Sequence, residues 1–202
     1  MIELRVLSGI FKGRRIKVPR RQDAALSQFT KECVRKALFD ILAGNVKNAR
    51  FLDLFSGSGA IGIEAYSRGA GEVVLVENDP ACEKAIRQTL EIFSGDREAP
   101  KLFYMHGDVF KVLTRLRAAQ KKFDIIFMDP PYGRCDLVKK VLIKVLAYAI
   151  LTPKSLVIVE HSLRDRVPKA VVHENGCLSA TAPRIYGNTA LSFYGYTENT
   201  AQ

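Results

Sequence analysis

The stretch Arg50-Phe51-Leu52-Asp53-Leu54-Phe55-Ser56-Gly57-Ser58-Gly59-Ala60-Ile61-Gly62 decides the fold. Its first six residues are an apolar run interrupted by one carboxylate, which reads as a buried strand. Glycines at 57, 59 and 62 then follow in the spacing G-x-G-x-x-G, and a helical pattern opens near residue 60. A strand that turns through glycines into a helix is the context that this spacing requires for a nucleotide site. Glycines let the backbone approach a ligand closely, and the first N–H groups of the helix face it.

Working outward, Glu72-Val73-Val74-Leu75-Val76-Glu77 predicts a second strand, with a helix from about 80 to 94. A third strand at 101–104 precedes a helix near 109–120, and a fourth at 123–128 precedes a helix near 136–149. Residues 155–160 form a fifth strand. Near-continuously apolar strands alternating with helices predict a mostly parallel sheet covered on both faces, an α/β, Rossmann-like class. The alternation stops at about 170. Two strands, 178–186 and 190–196, are expected around Tyr186-Gly187-Asn188-Thr189 as an antiparallel C-terminal hairpin.

Towards the N-terminus, residues 2–7 and 14–18 alternate in polarity on either side of Gly9 and Gly13, which predicts a β-hairpin. Residues 19–29 read as a loop, and 30–42 as a helix with Thr30 as its N-cap. The division expected is a basic hairpin appendage at 1–22 and one larger α/β domain at 23–202.

The 202 residues carry a net charge of +10. Seven basic groups fall within 1–22 (Arg5, Lys12, Arg14, Arg15, Lys17, Arg20 and Arg21) against the single acid Glu3. Clustering of this kind predicts a polyanionic partner, nucleic acid first. No apolar run approaches the ~18 residues of a membrane span, and the N-terminus lacks the apolar core of a signal peptide. Cys33, Cys82, Cys135 and Cys177 make no C-x-x-C pair; reduced thiols in a cytoplasmic protein are expected. His106, His161 and His173 have no metal-ligand spacing, so no metal is expected.

The glycine loop alone suits either NAD or S-adenosylmethionine. Glu77, ending the second strand, could accept hydrogen bonds from ribose hydroxyls. Asp53 lies inside the first strand, where it could orient the loop or meet a ligand ammonium group, and a pyrophosphate gains little from it. Asp108, at the start of a helix, could accept from an adenine amino group or serve as a plain N-cap. Asp53 and Asp108 favour S-adenosylmethionine.

The fourth strand ends in Met128-Asp129-Pro130-Pro131-Tyr132-Gly133. In an open parallel sheet, ligands sit beyond the carboxyl ends of the strands at the switch point, where the first and fourth strands should be neighbours. Each proline fixes φ, removes a donor and extends the residue before it. The result is a stiff segment of acceptors past the end of the ladder. A planar exocyclic NH₂ is a donor that fits such acceptors, and holding both its protons orients the nitrogen. Tyr132 offers a ring for the base to stack on, worth about 1–3 kcal/mol. A base reached this way is unstacked or flipped.

Asp-Leu-Phe-Ser-Gly-Ser-Gly with Asp-Pro-Pro-Tyr resembles the class I S-adenosylmethionine-dependent methyltransferases of exocyclic amino groups. Within these the chain is similar to the bacterial small-subunit rRNA guanine-N2 methyltransferases, the RsmD family. The resemblance includes Arg5-Val6-Leu7-Ser8-Gly9 with Lys12-Gly13-Arg14-Arg15, the helix Val34-Arg35-Lys36-Ala37-Leu38-Phe39, and the ending Arg184 to Tyr194. It implies a seven-stranded sheet, a guanine N2 target in 16S rRNA, and S-adenosylmethionine as donor, leaving S-adenosylhomocysteine. It implies Asp53, Phe55, Gly57, Gly59, Glu77, Asn78, Asp108 and Val109 around the cofactor, and Asp129, Pro130, Pro131 and Tyr132 on the base. The partner implied is 16S rRNA within a small subunit or assembly intermediate, met by a monomer. Where the family typically carries Arg-Pro-Thr, this chain has Gln28-Phe29-Thr30. Competing readings are a DNA adenine-N6 methyltransferase, for which no separate target-recognition segment is evident, an NAD-dependent oxidoreductase, and a catalytically silent rRNA-binding assembly factor.

Overall fold

A computed structural model describes residues 2–19, 24–93 and 101–199. The chain divides into two compact units, Met1–Gly107 and Asp108–Gln202.

The first unit opens with β1 (Ile2–Arg5) and β2 (Arg15–Val18), paired antiparallel with Ile2 opposite Val18 and Arg5 opposite Arg15. Two four-residue strands are marginal alone, so the hairpin depends on what it packs against. Val6, Phe11 and Ile16 are buried. The helix α1 (Ala24–Leu42) starts well before Thr30. Residues 24–29, expected as loop, are therefore helical, and Thr30 is interior to the helix and not its cap. Ala24-Ala25-Leu26 are strong helix formers and extend it. Gln28 and Phe29 fall inside the same helix.

After a 3₁₀ turn at Ala43–Val46 come β3 (Arg50–Leu54), α2 (Ala60–Ser67), β4 (Glu72–Glu77), α3 (Pro80–Phe93) and β5 (Lys101–His106). β4 lies between β3 and β5, all parallel, with Asp53 opposite Leu75 and Glu77 opposite His106. Burial of the whole Phe51–Leu54 and Val73–Val76 runs accounts for their lack of polar alternation.

The second unit contains α4 (Val109–Ala118), β6 (Phe123–Met128), α5 (Cys135–Ala147) and β7 (Leu151–Ser162). β6 and β7 are parallel, with a register shift between Phe123 and Ile125. Asp124 accepts from Thr152 Oγ1 at 2.9 Å, and Ser155 Oγ donates to the Phe123 carbonyl at 2.6 Å, so polar side chains fill the irregularity around Pro153. β8 (Ala170–His173), β9 (Gly176–Ala180), β10 (Arg184–Tyr186) and β11 (Thr189–Glu198) follow. β11 runs antiparallel to β7, β9 and β10.

The mostly parallel Rossmann-like class with antiparallel strands near the C-terminus is the one expected, but the tail is more divided. The strand expected at 178–186 is two strands, parted by Thr181-Ala182-Pro183, where proline has no N–H for a ladder. β8 was not foreseen. It forms a tight hairpin with β9, turning at Gly176, whose φ is 146°. No described helix is long and apolar enough to cross a membrane.

Candidate functional site

In the first unit, the glycine loop is closed by two carboxylates. Asp53 is buried, and its Oδ2 accepts the Gly62 amide at 2.9 Å. Glu77 is half-buried at the end of β4. Its Oε2 accepts the Gly57 amide at 2.7 Å, and its Oε1 accepts the Asn78 and Asp79 amides at 2.8 and 2.9 Å. The Ser56 and Gly59 amides donate to the carbonyls of Val76 and Ser56. Asp53 thus makes a loop-orienting contact through Oδ2. Glu77 spends three of about four acceptor sites on backbone, which leaves less for a ribose than two full bonds.

The three glycines differ. At Gly57 (φ 56°) a Cβ would meet nothing within 4 Å, so this position faces open space. At Gly59 (φ 77°) a Cβ would lie 3.1 Å from Leu75 Cδ1, and at Gly62 it would collide with Leu75 Cδ2. Gly59 and Gly62 thus serve packing of α2 on β4. Phe55 adopts φ 60°, a conformation that costs a bulky residue about 1–3 kcal/mol and turns the chain sharply from β3 into the loop. At the end of β5, the Tyr104 hydroxyl lies 3.1 Å from His106 Nδ1 and donates to the Glu77 carbonyl at 3.3 Å. Burial, then the carboxylates of Glu83 and Glu77, push the Tyr104 phenol up to about 12. Nothing local in the sequence marks Tyr104 for this place, which it owes to the pairing of β5 with β4.

In the second unit, Asp108 caps α4, its Oδ1 accepting from Phe110 and Lys111 at 3.0 and 3.3 Å, and Val109 is buried behind it. The N-cap role is realised. β6 ends at Met128, and Asp129 to Pro131 continue outside any helix or strand with every described peptide bond trans. Asp129 is half-buried, Pro130 buried, Pro131 exposed, and Tyr132 is 55% exposed. Gly133 (φ 77°) turns the chain towards α5. Two contacts brace the segment. The Tyr132 hydroxyl lies 3.3 Å from Thr189 Oγ1, and the Gly133 amide donates to Asp165 Oδ2 at 3.2 Å, which also accepts from Ser162. Burial raises the Tyr132 phenol against the opposing Thr189 hydrogen bond, with Asp129 also raising it. Neither Thr189 nor Asp165 was singled out from the sequence for this role. The only signal was that Thr189 belongs to the distinctive Tyr-Gly-Asn-Thr ending.

Of the basic residues, Arg5, Lys12, Arg14 and Arg15 are exposed and Lys17 is half-buried, all on the hairpin. Arg15 pairs with Glu3 at 2.6 Å. Arg14 donates to the Ile92 carbonyl at 3.0 Å and lies over the Phe11 ring, so part of its role is structural. Arg20 and Arg21 lie outside the described residues. Among the described residues no group of His, Cys, Asp or Glu is arranged to hold a metal ion, and all four cysteines are free.

Comparison with known proteins adds four findings. Ribosomal RNA small subunit methyltransferase D of Escherichia coli is 28% identical over 194 residues, covering 93% of this chain and 91% of that one. The solved structure of the Escherichia coli candidate methyltransferase yhhF superposes with a TM-score of 0.76 at 27% identity, over 98% of this chain and 99% of the other. A Salinibacter ruber RNA methyltransferase, solved with S-adenosyl-L-homocysteine, shares the fold at a TM-score of 0.59 and 16% identity, covering 85% of this chain and 95% of the other. The family model described as conserved hypothetical protein 95 matches residues 4–195. Since that match takes in the basic hairpin, the glycine loop, the Asp-Pro-Pro-Tyr strand end and the Tyr-Gly-Asn-Thr turn, the chain belongs to this family, the RsmD family.

Proposed function

We propose that this protein is an S-adenosylmethionine-dependent methyltransferase acting on the exocyclic N2 amino group of a guanine in 16S small-subunit rRNA. The observation that carries the choice of cofactor is the closure of the glycine loop. The Gly57 amide, which a pyrophosphate would approach, already donates to Glu77, and the buried Asp53 beneath the loop is held on the Gly62 amide. A dinucleotide would bring two phosphate charges against two carboxylates. S-adenosylmethionine brings a sulfonium, an ammonium and ribose hydroxyls, which carboxylates favour, so the residues present fit it. The resemblance and the membership in the RsmD family support the rRNA target.

When bound, S-adenosylmethionine supplies an electrophilic methyl group. Glu77 would hold the ribose through its remaining acceptor capacity, and Asp108, with Val109 beneath it, the adenine. Asp53 keeps the loop in register, Phe55, Gly57 and Asn78 shape its surface, and Gly59 lets the loop pack closely on Leu75 beneath it. On the substrate side, the Asp129 carboxylate and the carbonyl of Pro130 would accept the two amino protons of guanine. That orients the nitrogen lone pair and stabilises the positive charge that develops there, before one amino proton passes by way of Asp129 to solvent. Pro131 stiffens this acceptor segment, and the exposed Tyr132 ring stacks on the flipped base. Arg5, Lys12, Arg14, Arg15, Lys17, Arg20 and Arg21 would meet RNA phosphates. Residues 1–22 are thus an RNA-binding appendage to a catalytic domain at 23–202, acting as a monomer in the cytoplasm on a small subunit or its assembly intermediate.

The test is incubation with methyl-tritiated S-adenosylmethionine and small ribosomal particles from cells lacking the gene, followed by digestion to nucleosides. Label in N2-methylguanosine is expected. Label in DNA adenine and none in rRNA would overturn the target, and absence of S-adenosylhomocysteine binding would overturn the cofactor.

A further inference from the structure

The hairpin is bolted to α2, the helix that leaves the glycine loop, and the bolt is a carboxylate with no solvent exposure. Glu64 on α2 is 0% exposed. Its Oε2 accepts the Leu7 amide at 2.8 Å, and its Oε1 accepts the Ser8 amide at 3.0 Å and Arg68 Nε at 2.8 Å. One helical turn on, Ser67 completes the joint. Its hydroxyl donates to the Ser8 carbonyl at 2.5 Å and accepts the Phe11 amide at 3.0 Å, while its carbonyl accepts the Ile10 amide at 2.8 Å. Gly9 (φ 87°) sits so close that a Cβ there would collide with the Ser67 carbonyl. Phe11 stacks on Tyr66 of α2, with centroids 5.4 Å apart, and meets Phe93 edge-on at 4.9 Å. Buried Arg35 of α1 adds a donor to the Arg5 carbonyl at 2.8 Å.

Burying a carboxylate is expensive unless it is fully bonded, and packed apolar residues often replace such pairs without loss of stability. An ionised side chain spent on two successive backbone amides of a loop defines where that loop sits. We propose that Glu64 is a positioning residue for the rRNA substrate: it holds the Leu7–Ser8 backbone on α2 so that the basic hairpin meets RNA already in its binding orientation. This rests on the reading above that the hairpin contacts RNA. Glu64 touches neither cofactor nor base in this scheme. Its effect passes through the fraction of molecules whose hairpin is docked, and apparent RNA affinity scales with that fraction.

The test uses Glu64→Leu, Glu64→Gln and Gly9→Ala in the full chain. Gly9→Ala lifts the loop from outside and leaves the buried residues intact, so it carries the measurement if Glu64→Leu does not fold. Amide hydrogen exchange at Leu7 and Ser8, KM and kcat on unmethylated small ribosomal particles, and S-adenosylhomocysteine affinity by calorimetry are read for each. Expected are faster exchange at both amides and a KM for particles raised about tenfold, with kcat and S-adenosylhomocysteine affinity within about twofold of the parent. Glu64→Gln, which retains one acceptor oxygen, falls between. Rapid exchange at Leu7 and Ser8 with an unchanged KM would overturn the proposal, as would a parallel loss of KM, kcat and cofactor affinity. Lys12→Glu with Lys17→Glu separates the two ideas. If that pair leaves KM unchanged, the RNA-contact reading fails and the proposal with it. If that pair raises KM while the anchor variants do not, the anchor alone fails.

Discussion

The Tyr132 hydroxyl and Oγ1 of Thr189 lie 3.3 Å apart, joining the Asp-Pro-Pro-Tyr segment to the first residue of β11. Thr189 is buried while the tyrosine is largely exposed. The contact therefore ties a ring that would otherwise swing freely to a fixed point of the sheet. The turn is itself fastened, since the Leu163 amide donates to the Asn188 carbonyl at 2.8 Å. This gives the Tyr-Gly-Asn-Thr ending a physical role as a support for the proposed base-stacking ring.

Thr189→Val removes the hydroxyl and keeps the shape. The expected result is a fall in kcat/KM for small ribosomal particles of about 3- to 10-fold, the worth of one neutral hydrogen bond, with S-adenosylhomocysteine affinity unchanged. Tyr132→Phe should lose a similar amount, and the double variant little more, because both remove one interaction. Tyr132→Ala should lose more, since about 1–3 kcal/mol of stacking goes with the ring. Steady-state kinetics on the four variants checks this, and additive losses in the double variant would deny the coupling.

Glu77→Ala withdraws the acceptor from three backbone amides, Gly57, Asn78 and Asp79. A hydrogen bond to an ionised group is worth about 1.5–3 kcal/mol. If one such bond to the ribose is lost, S-adenosylhomocysteine binding weakens by roughly 10- to 150-fold, and the disordered loop adds to this. Glu77→Gln keeps one oxygen and should lose less. Calorimetric titration decides it; an unaltered affinity in Glu77→Ala would remove Glu77 from the cofactor site.

Gly62→Ala probes the packing role of the third glycine. The added methyl meets Leu75 Cδ2 of β4, a side chain with 0% exposure and nowhere to go. Overpacking of this kind costs about 1–3 kcal/mol, and a domain of this size loses about 2–4 °C of Tm per kcal/mol. Gly57→Ala meets no atom, so its cost comes from φ alone. Thermal melts should therefore rank Gly62→Ala below Gly57→Ala, while ligand binding should show the reverse order of damage relative to stability.

These glycines show how far the sequence could be read. Their spacing announced a strand, loop and helix with bounds within one residue of those observed, because buried parallel strands and a glycine turn leave a local pattern. It did not say which glycine faces open space and which faces Leu75, because that depends on β4, a separate segment. Asp129 to Tyr132 stood out by context, since two prolines and a tyrosine end an apolar strand where the sheet's ligand site is expected. Their braces, Asp165 and Thr189, lie more than 30 residues away and have no local signature. Glu64 was invisible for the same reason: on a short helix it reads as a solvent-facing charge until the hairpin is folded over it. The early start of α1 is harder to read, because a threonine before an apolar-periodic run looks like a cap even where helix formers precede it.

The phenols set the response to alkali. Tyr194 is fully buried, its hydroxyl donates to the Pro168 carbonyl at 2.6 Å, and burial pushes it up to about 12. Tyr104 is raised to about 12 as well. An unfolded tyrosine titrates near 10. The folded state therefore keeps these protons longer than the unfolded chain does. The stability they contribute is fully present below about pH 10, and is lost as pH rises from about 10 towards 12. Urea midpoints measured across this range should decline together with the rise of phenolate absorbance. Tyr194→Phe should be less stable at neutral pH by about 0.5–1.5 kcal/mol, because the Pro168 carbonyl loses its donor. It should also decline less steeply above pH 10, having no phenol to ionise at that position. A variant that kept the parent's full alkaline slope would show that Tyr194 is not the group responsible.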